Sequence, residues 1–427
     1  MRKKIISVLL SAAVVMTTLT GCDSSVNKIV ETEADEEITL VLWSIATESD
    51  AFHAPYTKAI ADFEAAHPGV KIKHETFENE SYKTKIKATV AANELPDIFF
   101  TWGGGFSQSF VESGKVMELD QYYPRYADKL SEAALSNATY DGKLYGSVLV
   151  TPVSILWYNN NMFKENGVTV PTTWEEFVNV CQVFVDKGIA PIGTSAKDTW
   201  VLAMLHDALT LKSAGPQKVK IALTGGAVNY TDPDFLVSAQ KMKELVDMGA
   251  FVEGATGLSN DEASADFYAE KMPMYITGSW MAGPIMTDAA NPTHFAAAPI
   301  PVINNTNARI TDFMGGAADT LMVAATTKHP EEAAVAAFEL TREISKYAFL
   351  SGAGIPAWEV DYPAEEVPAL TKQVAAYAAN ASSFTLWFDT LMDSEDARKY
   401  LALLQELFIG NITPEEFTQS MAEQLKK

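Results

Sequence analysis

Cysteine, histidine and positive charge are scarce in this chain. Its 427 residues include 2 cysteines, 6 histidines and 32 lysines and arginines, against 55 aspartates and glutamates. The histidines stand singly and no HExxH motif occurs, so we predict no metal site and no cofactor. The formal net charge is −23 at pH 7, and no basic cluster offsets it. Such a surface excludes nucleic acid as a partner and favours a neutral or cationic ligand.

Long apolar runs are also rare, and the clearest one stands at the start of the chain. Residues 5–19 are apolar or small and follow the basic residues Arg2, Lys3 and Lys4. The run is shorter than the roughly 20 apolar residues that span a bilayer. A positive start followed by a short apolar run is typical of a secretory signal, so we predict an exported protein.

One of the two cysteines follows this run directly. The segment Leu19-Thr20-Gly21-Cys22 resembles the bacterial lipobox. The resemblance implies a lipoprotein signal peptide over residues 1–21 and acylation of Cys22, which anchors the protein to the extracellular face of the cytoplasmic membrane in a Gram-positive-like bacterium. The alternative is an ordinary signal peptide with an incidental cysteine. The polar, acidic residues 22–37 are predicted to form a flexible tether.

The second cysteine, Cys181, lies in the segment TTWEEFVNVCQVFVDKG. Phe177, Val180 and Phe184 recur around it at helical spacing. We therefore predict that Cys181 is a small buried apolar residue. With Cys22 acylated, it has no partner for a disulfide or for a cysteine-based metal or redox site.

Strand and helix signals alternate along the rest of the chain. Residues 38–44, 70–77 and 95–102 have strand patterns, and the segments between them have helix patterns. This alternation is typical of parallel sheets covered by helices. Single cores usually stop growing near 250–300 residues, so a chain of 427 residues is predicted to form two lobes.

Several longer motifs resemble those of a known family. In chain order these are PDIFFTW with a glycine-rich turn, DGKLYGSVLVTPVSILWYNNNMFKENG, KMPMYITGSW and TLMVAATTKHPEEAAVAAFEL. In order and spacing they resemble the extracellular solute-binding proteins of carbohydrate ABC importers, the maltose-binding-like family. The resemblance implies an α/β fold of two lobes, each a mostly parallel sheet covered by helices, with a ligand cleft between the lobes.

The resemblance also implies where the chain passes between the lobes. The N-terminal lobe would comprise residues 38–150 and 301–342, and the C-terminal lobe residues 151–300 and 343–427. The crossings would lie near residues 150–152, near residues 299–301, and after the helix that begins at Pro330.

Tryptophans are the main candidates for ligand contact. Ligands of α/β sheets bind beyond the carboxyl ends of the strands, where Trp43 and Trp102 stand. The resemblance assigns sugar stacking to Trp102 and Trp280 and places Tyr158 in the cleft. Three further candidates, for which a core role stays open, are Trp200, Trp358 and Trp387.

Carboxylates form the second group of candidates. Glu48 and Asp50 follow the first strand and either contact the ligand or cap the next helix. Asp319 follows a glycine-bearing approach to a strand, and Asp389 closes the segment Leu386-Trp387-Phe388-Asp389. Both are candidates for hydrogen bonds to sugar hydroxyls. Nothing in the sequence marks any of them as a catalytic acid or nucleophile.

Three consecutive glycines, Gly103 to Gly105, follow Trp102. The best-known maltodextrin binders carry a charged segment at this position, which argues against maltodextrin as the ligand. The missing side chains lead us to expect room for a bulkier or longer oligosaccharide. A phosphate-binding loop is excluded because no GK[ST] follows the glycines.

The sequence therefore predicts a substrate-binding lipoprotein that is not an enzyme. It would capture a neutral mono- or oligosaccharide by domain closure and, as a monomer, deliver it to the permease subunits of an ABC importer. One alternative is a membrane-anchored carbohydrate-active enzyme, which needs two carboxylates roughly 5–9.5 Å apart. Another is a binding protein for a non-sugar ligand, such as a peptide or a polyamine.

Overall fold

A computed structural model of the chain describes residues 37–225 and 228–425. The predicted signal peptide, the predicted lipidation of Cys22 and the tether up to residue 36 lie outside these residues. Within the described ranges, no helix combines the length and the apolarity that crossing a bilayer requires.

Strands and helices alternate along most of this chain. The strands are β1 Ile38–Ser44, β2 Val70–Thr76, β3 Ile98–Trp102, β4 Thr139–Tyr140, β5 Lys143–Leu144, β6 Gly146–Val148, β7 Ser154–Asn159, β8 Ile192–Gly193, β9 Met274–Gly278, β10 Phe295–Ala298, β11 Asp312–Met314, β12 Asp319–Val323 and β13 Ser383–Thr385. The α-helices are α1 His53–Ala66, α2 Asn79–Ala92, α3 Gly105–Glu112, α4 Asn160–Glu165, α5 Trp174–Val185, α6 Thr199–Ala214, α7 Pro216–Leu223, α8 Pro233–Asp247, α9 Asn260–Tyr268, α10 Ala282–Asp288, α11 Pro330–Ser351, α12 Ala369–Ala379, α13 Phe388–Leu391, α14 Ser394–Phe408 and α15 Pro414–Gln424. Short 3₁₀ turns occupy Tyr123–Arg125, Ser136–Ala138, Ser279–Met281 and Pro292–His294.

The first lobe is built on a sheet with the strand order β2-β1-β3-β12-β6. Strand β1 pairs in parallel with β2 and β3, as expected for alternating strands and helices, whereas β12 runs antiparallel to its neighbours β3 and β6. Leu40 and Leu42 alternate into the core of this lobe, together with Ile98 and Phe338. Burial of these apolar side chains is the main force that holds the sheet to its helices.

The second lobe differs from the prediction of a mostly parallel sheet. Its order is β10-β7-β9-β8, and of its strand pairs only β8 with β9 is parallel. Strand β7 pairs with β9 and β10, which lie far along the sequence, so no local strand–helix–strand unit sets its direction. Both faces of this sheet are buried: Leu156 and Tyr158 face one core, and Ile155 and Trp157 face another.

Three chain segments meet between the two lobes. Val153 pairs with Gly315, and Val150 pairs with Pro356, each in a single antiparallel bridge. The backbone N–H of Gly316 donates to the carbonyl of Pro152 at 3.0 Å. Gly315 has φ +132, and a Cβ there would lie 2.2 Å from the Pro152 carbonyl oxygen. Only glycine fits this close approach.

A buried lysine holds the chain just before this meeting point. Lys212 Nζ donates to the backbone carbonyls of Arg309, Ile310 and Asp312 at 2.9, 3.0 and 2.6 Å. Burial lowers the pKa of this ammonium group to about 7. Its three carbonyl partners satisfy all three donors, so helix α6 holds the chain entering β11.

The cores differ in places from the lobe boundaries expected from sequence. Ile300 is buried in the core of the second lobe, although residues 299–301 were expected to cross. Helix α11 packs against α1 in the first lobe and runs through the expected boundary between residues 342 and 343. Trp358 is also buried in the first lobe.

Candidate functional site

A cavity of about 1580 Å³ lies between the lobes. Its lining comes from the β1–α1 loop, β3, α2 and α3 on one side and from α6, α9, α10 and α14 on the other. The aromatic residues that line it are Phe52, Trp102, Phe106, Trp200, Tyr268, Trp280 and Trp387. Apolar, largely aromatic clefts with a few polar groups are the usual form of small-molecule sites.

The wall contributed by the first lobe, here called the first wall, is built around Trp102, Phe106, Asp50 and Asp319. Trp102 ends β3 and packs edge-on against Phe106 of α3, with 5.0 Å between ring centroids. Asp319 begins β12 directly opposite Trp102 in the antiparallel register. Opposite residues have Cβ atoms about 4.5–5.5 Å apart, so a ring and a carboxylate stand side by side.

Two lysines of α2 cover the aromatic rings of the first wall. Lys83 Nζ lies 5.4 Å from the ring centre of Trp102, and Lys87 Nζ lies 4.7 Å from that of Phe106. The two lysines are four residues apart on α2, and Trp102 and Phe106 are also four residues apart in the chain. Each lysine therefore lies over one of the two rings. Each contact is a cation–π interaction.

The wall contributed by the second lobe, here called the second wall, is a cluster of three tryptophans. Trp280 follows β9 and lies 6.2 Å from Trp200 and 6.1 Å from Trp387, measured between ring centroids. Trp387 Nε1 donates to Ser154 Oγ at 2.8 Å. This bond orients an indole of which only 7 % is exposed.

The triple glycine does not leave the extra room that its sequence led us to expect. The backbone of residues 390–392 packs onto it instead. A Cβ on Gly105 would lie 2.2 Å from the Met392 carbonyl oxygen, and one on Gly103 would lie 2.4 Å from that of Asn137. These glycines therefore serve the close approach of chain segments at the base of the cavity.

Two carboxylates of the first wall are set in a low-polarity environment. Burial raises the pKa of Asp50 to about 6, although the Phe52 backbone N–H donates to Asp50 Oδ1 at 2.8 Å. Burial, and then repulsion from Asp50, raises the pKa of Asp319 to about 7. Burial also raises the pKa of Asp389, where the charge of Lys83 acts in the opposite direction.

A buried polar network supports the second wall. Asp207 Oδ2 accepts the Phe388 backbone N–H at 2.9 Å, and Asp207 Oδ1 accepts the Tyr400 hydroxyl. His206 Nδ1 lies 2.9 Å from the same hydroxyl oxygen. Burial raises the pKa of Asp207 well above its usual range and lowers that of His206 to about 3. Because Phe388 follows Trp387, this network holds the segment that carries Trp387 and Asp389.

The structure brings most of the predicted ligand residues together. Those that line the cavity are Asp50, Trp102, Trp200, Trp280, Asp319, Trp387 and Asp389. They come from both lobes and from distant parts of the sequence. Their role in binding a ligand remains a prediction.

Four predicted residues lie outside the cavity lining. Trp43 packs against Phe77, with 5.2 Å between ring centroids, because alternate residues of β1 face opposite sides of the sheet. Glu48 is exposed, and only its neighbours in the loop line the cavity. Tyr158 packs against Phe163 in the core. Trp358 donates through Nε1 to the Val148 carbonyl at 2.8 Å.

Several lining residues were not predicted from the sequence. They include Phe52, Asn79, Lys83, Lys87, Phe106, Asp207, Asn260, Arg398 and Gln405. The spacing of Lys83 and Lys87 on one helix face was a usable signal. The others sit on helices and loops whose orientation toward the cavity depends on the packing of the two lobes.

Metal ligation has no structural basis in the described part of the chain. No group of three or more His, Cys, Asp or Glu side chains there could hold a metal ion. Cys181 is buried, as its sequence context predicted, and burial raises the pKa of its thiol.

Comparisons with known proteins place the chain in a family. The family model described as bacterial extracellular solute-binding protein matches residues 46–340. An ABC transporter extracellular-binding protein of Pyrococcus horikoshii is 27% identical over 338 residues, which is 76% of this chain and 75% of that protein. The multiple sugar-binding protein of Streptococcus mutans is 25% identical over 261 residues, which is 58% of each chain.

Solved structures agree with this fold. One comes from work on xylan utilization by the thermophilic bacterium Caldanaerobius polysaccharolyticus, with a TM-score of 0.87 and 35% identity over 90% of this chain and 99% of that one. A chitin oligosaccharide binding protein has a TM-score of 0.83 and 27% identity over 91% and 98%. The predicted two-lobed α/β fold and the predicted family are both confirmed. The chain belongs to the bacterial extracellular solute-binding protein family.

Proposed function

We propose that this protein captures a neutral oligosaccharide in the cavity between its lobes and delivers it to the permease of an ABC importer. The observation that carries the proposal is the pairing of the two walls, each of which presents tryptophan to the same cavity. Pyranose rings have apolar C–H faces that pack on aromatic rings, and hydroxyl groups that need polar partners at their edges.

The relatives support this ligand class. The Streptococcus mutans protein is named a multiple sugar-binding protein, and one structural neighbour is named a chitin oligosaccharide binding protein. The neighbour with 35% identity comes from work on xylan utilization. A cavity of about 1580 Å³ exceeds the roughly 300–1,000 Å³ of drug-sized sites, which fits a ligand of several sugar units.

Binding on this proposal is coupled to closure of the lobes. A sugar that contacts the first wall and the second wall together stabilises the closed arrangement more than the open one, as a population shift requires. We propose that residues 150–153, the segment at Gly315 and the segment near Pro356 bend during closure. On this view the first lobe comprises residues 38–149 and 317–360, and most of the remainder belongs to the second lobe.

We also propose a location and an oligomeric state for the protein. Acylation at Cys22 would keep the protein at the extracellular face of the cytoplasmic membrane, and it would act there as a monomer beside its permease. We further propose that the protein is not an enzyme, although Asp50 and Asp319 have the raised pKa values that a general acid requires.

The test is a calorimetric titration of the purified full-length chain in detergent with xylotriose and triacetylchitotriose, with the sugar recovered afterwards. We expect binding in the micromolar range or tighter, a change in tryptophan fluorescence, and recovery of intact sugar. Cleaved sugar would support the carbohydrate-active enzyme instead. Absence of binding across neutral oligosaccharides, with binding of a peptide or polyamine, would overturn the proposal.

A further inference from the structure

We infer that the Asp50–Asp319 end of the cavity selects ligands by charge, accepting neutral or amino sugars and rejecting sugars that carry a carboxylate. The inference rests on the proposed function and adds the substrate class. It concerns the first wall alone, because there a stacking ring and two carboxylates occupy the same corner of the cavity.

The positions of these carboxylates follow from the sheet. Asp319 is the first residue of β12 and stands opposite Trp102, the last residue of β3. Asp50 lies in the loop after β1, the strand next to β3. All three line the cavity. A sugar stacked on Trp102 would therefore bring its ring substituents to Asp319 and Asp50.

The carboxylate of Asp319 has no partner of its own in the part of the chain that the structure describes. Among residues 37–225 and 228–425, no hydrogen bond or ion pair involves its side chain. Asp50 accepts one backbone N–H, from Phe52, and also forms no ion pair within the described ranges. Both side chains are half-buried and line the cavity, so their free oxygens are open to hydroxyl or ammonium donors of a ligand.

Within the described ranges, no lysine or arginine of the cavity lining forms an ion pair with Asp50 or Asp319. The cationic residues of the lining are Lys83, Lys87, Lys197 and Arg398. The charge of Lys83 acts on Asp389, whereas Asp319 is influenced by burial and by Asp50. Among the neighbouring charges, Asp261 raises the pKa of Asp50, whereas His53, which does not line the cavity, lowers it. This corner is therefore electronegative when the cleft is open, and closure reduces its exposure to water.

Repulsion between like charges in the closing cleft determines which sugars can bind. A carboxylate on the bound sugar would stand near one or two like charges in a closing cleft, where water screens them poorly. We expect at least about tenfold weaker binding than for the neutral parent. An ammonium substituent in the same place gains an ion pair, so an amino sugar should bind at least as tightly as its acetylated form.

The experiment compares matched sugars on the full-length chain by calorimetry at pH 7.5. Xylotriose is compared with xylotriose bearing a 4-O-methylglucuronosyl group, and triacetylchitotriose with the deacetylated trimer. The variants are Asp319→Asn and Asp50→Asn, which keep an acceptor oxygen and remove the charge. The matched control is Glu48→Gln, an exposed carboxylate in the same loop as Asp50 that does not line the cavity.

We expect the glucuronate-bearing sugar to bind at least about tenfold more weakly to the unmodified protein. Asp319→Asn or Asp50→Asn should narrow that difference in affinity severalfold, and Glu48→Gln should leave it unchanged. Equal affinities for the neutral and acidic sugars in the unmodified protein would overturn the inference while leaving oligosaccharide binding intact. A difference that persists unchanged in both variants would also overturn it. Failure of every saccharide to bind would overturn the proposed function and this inference with it.

Discussion

The two walls of the cavity use the same kind of side chain in different settings. On the first wall, Trp102 stands beside the carboxylate of Asp319 and beneath the ammonium group of Lys83. On the second wall, Trp280 is flanked by other indoles, and the neighbouring Trp387 is held by hydrogen bonds that reach into the core. The first wall therefore supplies charged groups, and the second wall supplies a rigid aromatic surface. Rigidity at one wall and polarity at the other can be tested separately.

The largest expected effect is on the support of the second wall. Asp207→Ala leaves the Tyr400 hydroxyl and the Phe388 N–H without their acceptor in a buried place. Each orphaned group costs about 1–3 kcal/mol, so the free energy of unfolding should fall by about 3 kcal/mol. Urea unfolding measures this. Asp288→Asn, at an exposed carboxylate, is the control, and an equal loss in both variants would contradict a role for the network.

The next effect concerns sugar stacking on the first wall. Trp102→Ala removes the ring that faces the cavity at the end of β3, and we expect affinity for the bound oligosaccharide to fall about 30-fold or more, or about 2 kcal/mol. Trp43→Ala is the matched control, since Trp43 is on the same sheet but outside the cavity lining. Calorimetry measures the sugar affinity of both variants. Comparable losses of affinity would show that Trp102 acts by stabilising the fold and not by contact with the sugar.

A smaller effect on stability and on sugar affinity is expected at the triple glycine, where the two walls meet. A Cβ in Gly105→Ala would meet the carbonyl oxygens of Met392 and Leu391 at 2.2 and 2.5 Å. Overpacking costs about 1–3 kcal/mol, and the displaced segment carries Asp389, so sugar affinity should also fall. Gly257→Ala, with a nearest contact of 3.5 Å, should change stability by less than about 0.5 kcal/mol. Thermal unfolding and calorimetry measure the two consequences.

The smallest effect is the pH dependence of the first wall. The pKa of Asp319 in the folded chain, about 7, lies above the ordinary value of 3.8. A raised carboxyl pKa favours the folded state at low pH, and that contribution is lost as the pH rises through about 4 to 7. Unfolding in urea should therefore show more loss of stability over this range in the unmodified protein than in Asp319→Asn. Identical pH profiles would contradict the raised pKa.

Much of the local structure was predictable from short patterns. The capping boxes at Thr173 and Thr413 are present, with hydrogen bonds in both directions, because their Ser/Thr and Glu spacing is itself the mechanism. Cys181 is buried, as predicted from the apolar face of helix α5, and Trp174 at the start of that helix is also buried. The strand β1 begins and ends at the predicted residues Ile38 and Ser44.

The positions of the site residues were less predictable from the sequence, because an aromatic side chain on a strand can point to either face of the sheet. Tyr158 and Trp157 lie on opposite faces of β7, and both faces are covered by helices, so neither reaches the cavity. The three glycines from Gly103 could either leave empty space in the cavity or allow another backbone segment to pack closely. Only the position of residues 390–392 in the folded chain shows that the second alternative is correct.

The sequence by itself determined the family, the two-lobed α/β architecture and the strand-end tryptophan that begins the first wall. The family follows from the resemblance carried by the ordered motifs, and the architecture from chain length and the alternation of strand and helix patterns. Tertiary structure alone decided the antiparallel pairing of the second sheet, the Asp207–Tyr400–His206 network and the alignment of Asp319 with Trp102. Those arrangements join residues far apart in sequence, and their energy comes from burial and hydrogen bonding that exist only once the lobes are packed.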